Sequence, residues 1–210
     1  MNGKQKEIVT RIVLLIISLT FIGIFATFII QANIGGDAVL VFEQGFAKFI
    51  GIDIGTSILI LNVVLSTIIF FIDRKKINIG TVLIALLLGP FMQVILDTGW
   101  VYNPNGNLWL SIFVDFLAII GLAMSLSLYI YANIGYSPFE AIVLTIHERK
   151  KWRFAYVKMV CDALLFLIGW LLGGVIGIGS IMTIVMLGPL IDFFTLQLKK
   201  TNWISTSKAV

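Results

Sequence analysis

The tract Ala32-Asn33-Ile34-Gly35 returns as Ala132-Asn133-Ile134-Gly135, 100 residues later in the chain. Two further pairs of tracts follow at nearly the same spacing: residues 77–81 with 176–180, and residues 88–90 with 187–189. Internal repeats in a very apolar chain indicate a duplicated membrane protein. In such proteins the interface between the two halves is the usual place for a substrate path.

The composition points to the membrane as solvent. Mean hydropathy is +1.04, 59% of the residues are apolar and only 12% are charged, against about 25% charged residues in a typical soluble domain. The chain has one cysteine, Cys161, and one histidine, His147. An intramolecular disulfide is therefore excluded, and both counts argue against a metal site or metal catalysis.

The apolar runs are long enough for helices of about 20 residues, the length that a bilayer needs. The first run follows basic residues like a signal peptide, but it is longer than a signal sequence requires and no clear cleavage site follows it, so we interpret it as a retained span. The sequence thus predicts an all-α membrane bundle of six transmembrane helices, at about residues 10–31, 56–72, 79–96, 109–131, 154–172 and 176–196.

The basic residues predict the orientation of this bundle. With the N-terminus inside, every Lys and Arg except Lys48 falls in a segment expected at the cytoplasmic side. The positive-inside rule therefore favours six spans with both termini cytoplasmic. Each half then has three spans, so the second half enters the membrane from the opposite face and the repeats are inverted.

These patterns divide the chain into five parts. The boundaries are a cytoplasmic N-terminus at residues 1–9, a first three-helix repeat at 10–96, an extracytoplasmic linker at 97–108, a second three-helix repeat at 109–196 and a cytoplasmic tail at 197–210.

A short apolar segment follows the first span of each half, at residues 36–53 and 136–152. Each is too short to span a bilayer and too apolar for a free loop. Both are expected to form short helices, and the pattern leaves re-entrant and interfacial placements open. Asp37 and Glu140 stand near the two starts, where a carboxylate favours a helix N-terminus.

The paired Gly-Pro sequences are the first candidates for a functional site. Gly89-Pro90 falls inside the third predicted span and Gly188-Pro189 inside the sixth. A proline lacks the N–H that a helix needs, so the carbonyls of Leu86 and Val185 are expected to lose their donors. Breaks at matching places in two halves are typical of transporter sites, although prolines also simply kink membrane helices.

Polar residues inside the predicted spans are the second set of candidates. Asp162 is expected near the middle of the fifth span, with Asn62 at the matching place in the second, and no Lys or Arg is expected at the depth of Asp162. Gln93 and Asp192 each follow a Gly-Pro sequence by three residues. Intramembrane carboxylates are costly and are usually functional. Asp115 is expected in the outer part of the fourth span, where solvation explains it more simply.

We therefore predict one central polar cavity that binds a substrate. Acceptors and acids without a basic residue at depth would favour a cation, a proton-coupled substrate or a neutral polar molecule over an anion. No metal and no cofactor is expected. The residues of this predicted site are Asp162, Asn62, Gln93, Asp192, Gly89, Pro90, Gly188 and Pro189.

The chain resembles the YczE/YitT family of small bacterial membrane proteins. The tracts that carry the resemblance are residues 132–140, residues 79–81, and residues 88–90 with their second copy, and the similarity covers most of residues 10–196. The first half departs from the pattern, because Gly36-Asp37-Ala38 stands where a turn containing proline is expected. The resemblance implies a multi-pass protein of the plasma membrane, and it supplies no substrate.

The leading hypothesis is a small-molecule transporter or permease, with membrane lipid and an unidentified small molecule as its partners. The alternatives are a substrate-binding membrane subunit that needs energising partners, or a non-transporting accessory protein. An enzyme is not expected, because the sequence shows no nucleophile–base pair and no nucleotide loop. The basic residues form juxtamembrane clusters, which argues against a nucleic-acid partner. A homo-oligomer is left open.

Overall fold

The computed structural model describes residues 3–99 and 106–200. Within these ranges the regular structure is entirely helical, with one 3₁₀ turn at Arg74–Lys76. The eight α-helices are α1 (Gly3–Ala32), α2 (Ala38–Ile50), α3 (Ile54–Ile72), α4 (Ile79–Asp97), α5 (Leu108–Ala132), α6 (Pro138–Lys150), α7 (Phe154–Leu171) and α8 (Ile178–Lys200). The linker tract 100–105 and the tail from residue 201, both parts of the predicted division, lie outside the described residues.

Five of the helices are long and apolar enough to cross a membrane. These candidate spans are Glu7–Ala32, Ile54–Ile72, Ile79–Asp97, Leu108–Ala132 and Ile178–Lys200. They coincide with five of the six predicted spans. The remaining predicted span, the fifth at residues 154–172, corresponds to α7, which has 18 residues, carries Lys158 and Asp162, and is not among the five.

The two short segments form the 13-residue helices α2 and α6, as the sequence predicted. The Asp37 side chain caps α2 by accepting a hydrogen bond from the Leu40 N–H, at 2.9 Å. Ser137 and Glu140 form a reciprocal capping box at the start of α6. Such caps satisfy N–H groups that have no partner inside the helix, so the polar residue at each start explains why a helix begins there.

Helix α1 packs against α5 at the centre of the bundle, around buried residues that include Leu15, Ile22, Ile119 and Leu122. The other contacts occur in corresponding pairs. Helix α1 packs on α4 as α5 packs on α8; α2 packs on α7 as α6 packs on α3; and α2 packs on α3 as α6 packs on α7. One contact has no counterpart, because α3 packs along α4 whereas α7 and α8 barely touch.

The repeated Ala-Asn-Ile-Gly tracts form matching turns. Asn33 and Asn133 both adopt left-handed backbone, with φ of 54° and 49°, a conformation that asparagine tolerates better than most residues. Each turn then contacts the start of the last helix of the other half. The Gly36 N–H donates to Ser180 Oγ at 3.2 Å, and Thr81 Oγ1 donates to the carbonyl of Tyr136 at 2.8 Å.

Glycines allow the closest contacts between helices, which is their usual role in membrane bundles. A Cβ on Gly169 of α7 would lie 2.7 Å from the Cα and the N of Phe42 in α2. A Cβ on Gly89 of α4 would lie 2.8 Å from the N of Leu59 in α3. The backbones of α2 and α7, and of α3 and α4, are therefore in direct contact at these points.

Candidate substrate site between the two short helices

Asp162 lies on α7 in an ion pair with Lys158, one helical turn earlier. The Lys158 Nζ donates to Asp162 Oδ1 at 2.6 Å and to Oδ2 at 2.8 Å, and the two side chains are 36% and 29% exposed. The expectation that no cation lies at the depth of Asp162 was wrong. Lys158 was assigned to the cytoplasmic segment although the predicted fifth span, like α7, begins at residue 154 and contains it, and the structure turns its side chain along the helix to Asp162.

The starts of both short helices lie near this ion pair. Lys158 interacts electrostatically with Asp37, the cap of α2, and with Glu140 in the first turn of α6. Its ammonium group also lies 5.0 Å from the centre of the Phe139 ring, within the range of a cation–π interaction. We call Asp37, Glu140, Lys158 and Asp162 the Lys158 cluster.

The Lys158 cluster has more acid than base. It has three carboxyl groups and one ammonium, and Glu43 of α2, 7% exposed, adds a fourth carboxyl that interacts with Asp37. Burial raises the pKa of Asp37 and of Glu140, and in each case the Lys158 charge opposes that rise. Such a site attracts a cation or a proton, because unpaired buried carboxylates are costly.

Asn62 occupies in α3 the place that Asp162 occupies in α7. It is 8% exposed, and its Nδ2 donates to the carbonyl of Ile58 at 3.0 Å. In both halves the polar side chain is thus bonded to the residue four positions earlier. The partner of Asn62 is a backbone carbonyl, and the partner of Asp162 is the Lys158 side chain. This contact holds the amide against its own helix.

Gln93 links α4 to the start of α3. Its Oε1 accepts from the Gly55 N–H at 3.0 Å, and its Nε2 donates to Asp97 Oδ1 at 2.8 Å. Asp192 lies on an exposed part of α8. Among the described residues, no hydrogen bond or ion pair joins any two of the four predicted polar residues Asp162, Asn62, Gln93 and Asp192.

The two Gly-Pro sequences have different surroundings. Helices α4 and α8 both continue through their prolines. In the first pair, Gly89 is buried against α3 and Pro90 is exposed. In the second pair, Gly188 and Pro189 are both exposed. A Cβ placed on Gly188 would have no neighbouring atom within 4 Å. The first pair therefore shapes a helix contact, whereas the second faces away from the bundle.

Sequence reasoning missed Lys158 and did not place Asp37 or Glu140 in the site, although it marked both as starts of short helices. The capping pattern was the available signal. A carboxylate at the start of each of two matching helices indicates that the two starts are equivalent positions. That they approach the same lysine depends on the packing of α2 and α6 along α7, which the sequence does not contain.

Two cavities lie at opposite ends of α5. One, of about 400 Å³, is lined by residues at the end of α1 and the start of α5, including Asn33 and Ser111. The other, of about 230 Å³, is lined by the turn after α5 and the segment before α4, including Asn78, Asn133 and Glu148. The two cavities thus lie beside the matching turns at Asn33 and Asn133.

Comparison with known proteins places the chain in a family. Residues 9–196 match a family of unknown function, DUF6198. The chain belongs to this family. Its relatives include YczE, which confirms the resemblance that the repeated tracts indicated.

Three relatives illustrate this similarity. An uncharacterised protein of Haemophilus influenzae is 23% identical over 86% of this chain and 81% of its own length. YczE, an uncharacterised membrane protein of Bacillus subtilis, is 22% identical over 72% of this chain and 69% of its own. YyaS, an uncharacterised protein of the same organism, is 26% identical over 79% of this chain and 82% of its own. No solved structure matches the chain. With its apolar helices and the YczE similarity, the chain is an integral membrane protein.

Proposed function

We propose that this protein is a plasma-membrane transporter of small cationic or polar molecules, with its substrate site at the Lys158 cluster between α2 and α6. The observation that carries this proposal is the approach of two capped short helices, one from each half, to a single partly buried ion pair. Transporter sites characteristically lie where the ends of interrupted or half-length helices meet inside the bundle. The substrate would cross without chemical change.

In the proposed transporter α7 also crosses the membrane, so the spans number six. Its 18 residues are about 27 Å long at 1.5 Å per residue, close to the thickness of the hydrocarbon core. Its outer surface is apolar, as the exposed side chains Leu164, Leu167, Ile168 and Leu171 illustrate. Six spans then place both termini in the cytoplasm, in agreement with the distribution of basic residues.

The paired helix contacts support an inverted repeat. Exchanging α1–α4 with α5–α8 reproduces every principal helix contact except that of α3 with α4. Three spans in each half make such an exchange a rotation about an axis in the membrane plane. The exception follows from the glycines, because Gly89 lies in contact with α3 whereas its counterpart Gly188 touches no neighbour.

In this arrangement α2 and α6 are re-entrant helices that enter from opposite faces. Near the end of α2, Lys48 donates to the carbonyl of Gly173 just beyond α7, at 2.9 Å. Near the end of α6, Arg149 donates to the carbonyl of Ile72, the last residue of α3. Because α3 and α7 run in opposite directions in an inverted repeat, these two ends lie at opposite faces and the starts lie between them.

The chemistry of the site follows from its charges. A cationic or hydrogen-bond-donating substrate would compete with the Lys158 ammonium for the Asp162 carboxylate and would be stabilised by Asp37 and Glu140. Lys158 would then return to Asp162 when the substrate leaves, so the carboxylate is never left unpaired.

Transport by purified protein in proteoliposomes tests this function. The panel should contain primary amines, quaternary ammonium compounds, neutral amino acids and sugars, each measured as uptake against protein-free vesicles. Asp162→Asn should reduce transport of the active solute by about 10-fold or more, since hydrogen bonds to charged groups contribute about 1.5–3 kcal/mol. Asp53→Asn, which keeps a capping side chain on the exposed start of α3, is the control and should transport like the parent. Undiminished transport by Asp162→Asn would place the site elsewhere.

A further inference from the structure

The helices α3 and α7 occupy equivalent places in the two halves but have chosen different neighbours. Helix α3 packs along α4 of its own half, whereas α7 barely touches α8. Helix α7 packs instead on α2 of the other half, and α3 makes a smaller contact with the equivalent helix α6. Each of the two helices thus has one neighbour available in its own half and one in the other, and the structure shows opposite choices.

The contact between α3 and α4 is made by Gly89 and Gln93 of α4. A Cβ on Gly89 would lie 2.3 Å from the carbonyl oxygen of Gly55 and 2.8 Å from the N of Leu59, so the two backbones touch. Gln93, one turn later, accepts a hydrogen bond from the Gly55 N–H at 3.0 Å. A glycine and a polar side chain therefore close α4 against the start of α3.

Helix α8 has residues for the same contact but does not use them. Gly188 and Asp192 stand where α4 has Gly89 and Gln93, and both are exposed. A Cβ on Gly188 would have no atom within 4 Å. An aspartate on the outer surface of a membrane helix is costly unless it finds a partner. The N–H groups at the start of α7 match it, because a helix N-terminus favours a carboxylate.

Helix α8 is fixed to the rest of the bundle, so α7 is the helix that must move to make this contact. At the start of α8, the Gly179 N–H donates to the carbonyl of Ile34 at 2.8 Å. Ser180 Oγ accepts from the Gly36 N–H at 3.2 Å. Asp115 of α5 is fully buried beneath the same start of α8, so the expectation that solvation explains this residue was wrong.

We infer that α3 and α7 are alternating gates of the proposed transporter. In a second state α7 closes on α8 through Gly188 and Asp192, while α3 leaves α4 and packs more closely on α6. Exchange of the two halves turns one state into the other, which is how inverted repeats open a central site to each face in turn. Because it takes the halves as an inverted repeat, this alternation rests on the proposed function.

The topology assigns the open gate to one side of the membrane. The start of α7 follows the basic tract 149–153, which the positive-inside rule places in the cytoplasm. The structure is then the state that is open to the cytoplasm between α7 and α8, and closed to the outside by α3 and α4. Exposure agrees with this assignment, because the Asp162 side chain is 29% exposed whereas its counterpart Asn62 is 8% exposed.

Distances between spin labels at the helix ends test the inference without a substrate. Arg153→Cys with Gln197→Cys measures the cytoplasmic gap between α7 and α8. Asp53→Cys with Thr98→Cys measures the equivalent outer gap between α3 and α4. All four positions are exposed, and both pairs are made in a Cys161→Ser background. In lipid nanodiscs each pair should give two distances, with the longer one dominant at the cytoplasmic gap and the shorter one at the outer gap.

Two alanine variants should shift these populations in opposite directions. Gly89→Ala places a methyl group against the α3 backbone. It should raise the ratio of short to long distances at the cytoplasmic gap by at least about 5-fold and lower that ratio at the outer gap. Gly188→Ala meets no atom in the structure and should abolish the short distance at the cytoplasmic gap.

A single cytoplasmic distance that is the same in the parent and both variants would overturn the inference. Two gaps that open and close together would overturn it as well. If Gly89→Ala does not fold, Gly188→Ala keeps the test decisive, because its methyl group enters empty space.

Transport assays separate this inference from the proposed function. Gly188→Ala should be folded but should transport the active solute at least about 5-fold more slowly, because its methyl group prevents α7 from closing. Alternating gaps in a protein that transports no solute of the panel would refute the transport proposal alone. Undiminished transport by Gly188→Ala, or transport by a protein whose gaps are fixed, would refute the alternation alone.

Discussion

The contact between α2 and α7 can be tested by one methyl group. Gly169→Ala would place a Cβ 2.7 Å from the backbone N and Cα of Phe42, about 0.8 Å short of the optimum carbon–carbon separation of about 3.5 Å. Since both partners are backbone atoms, no rotamer change relieves the overlap, and α2 must move away from α7. Overpacking of this kind costs about 1–3 kcal/mol.

Gly188→Ala is the matched control, because a Cβ there has no atom within 4 Å. Both changes replace a helical glycine by alanine and share the propensity gain of about 1 kcal/mol. The difference in stability between the two variants therefore isolates the overlap. In reversible unfolding in detergent, Gly169→Ala should be less stable than Gly188→Ala by about 1–3 kcal/mol. Equal stability of the two variants would show that α2 does not lie against α7 as described.

Two further predictions concern charged residues. Lys158→Met should destabilise the protein by about 1–3 kcal/mol, because it leaves the Asp162 carboxylate unpaired. Adding Asp162→Asn to this variant should recover part of the lost stability. Losses that simply add in a double-mutant cycle would refute the pairing. Asp53→Ala should lower stability near neutral pH by about 0.5–1 kcal/mol through loss of the α3 cap. Hydrogen bonds from Thr56 lower the pKa of Asp53 below its usual 3.8. The stability difference between the parent and Asp53→Ala should therefore shrink as the pH falls through that lowered pKa. A stability difference that stays constant down to about pH 2 would contradict the assignment of Asp53 as the cap.

The helices were largely predictable because their signals are local. Long apolar runs fix the spans, and the repeated Asn-Ile-Gly tracts fix the turns at Asn33 and Asn133. The caps at Asp37 and Ser137 mark where the short helices begin. These features depend on neighbours within a few residues, so a pattern in the sequence contains them.

The site was less predictable because it depends on packing and on helix phase. The predicted fifth span and α7 begin at the same residue, so the position of Lys158 along the chain did not show that its side chain pairs with Asp162. Asp115 is close to the start of its helix along the chain, and only the covering helices make it buried. Gly89 and Gly188 are equivalent in sequence, yet one lies against α3 and the other touches nothing.

The proposed substrate site requires α2 and α6 to approach Lys158 from opposite faces of the membrane. Thiol labelling of Phe49→Cys at the end of α2 and of Lys150→Cys at the end of α6, each in a Cys161→Ser background, tests this directly. Both positions are exposed, Phe49 by 71%. In intact cells a membrane-impermeant reagent should label Phe49→Cys and should reach Lys150→Cys only after permeabilisation. Labelling of both cysteines from the same side would contradict the opposed entry of the two helices, and with it the site between them.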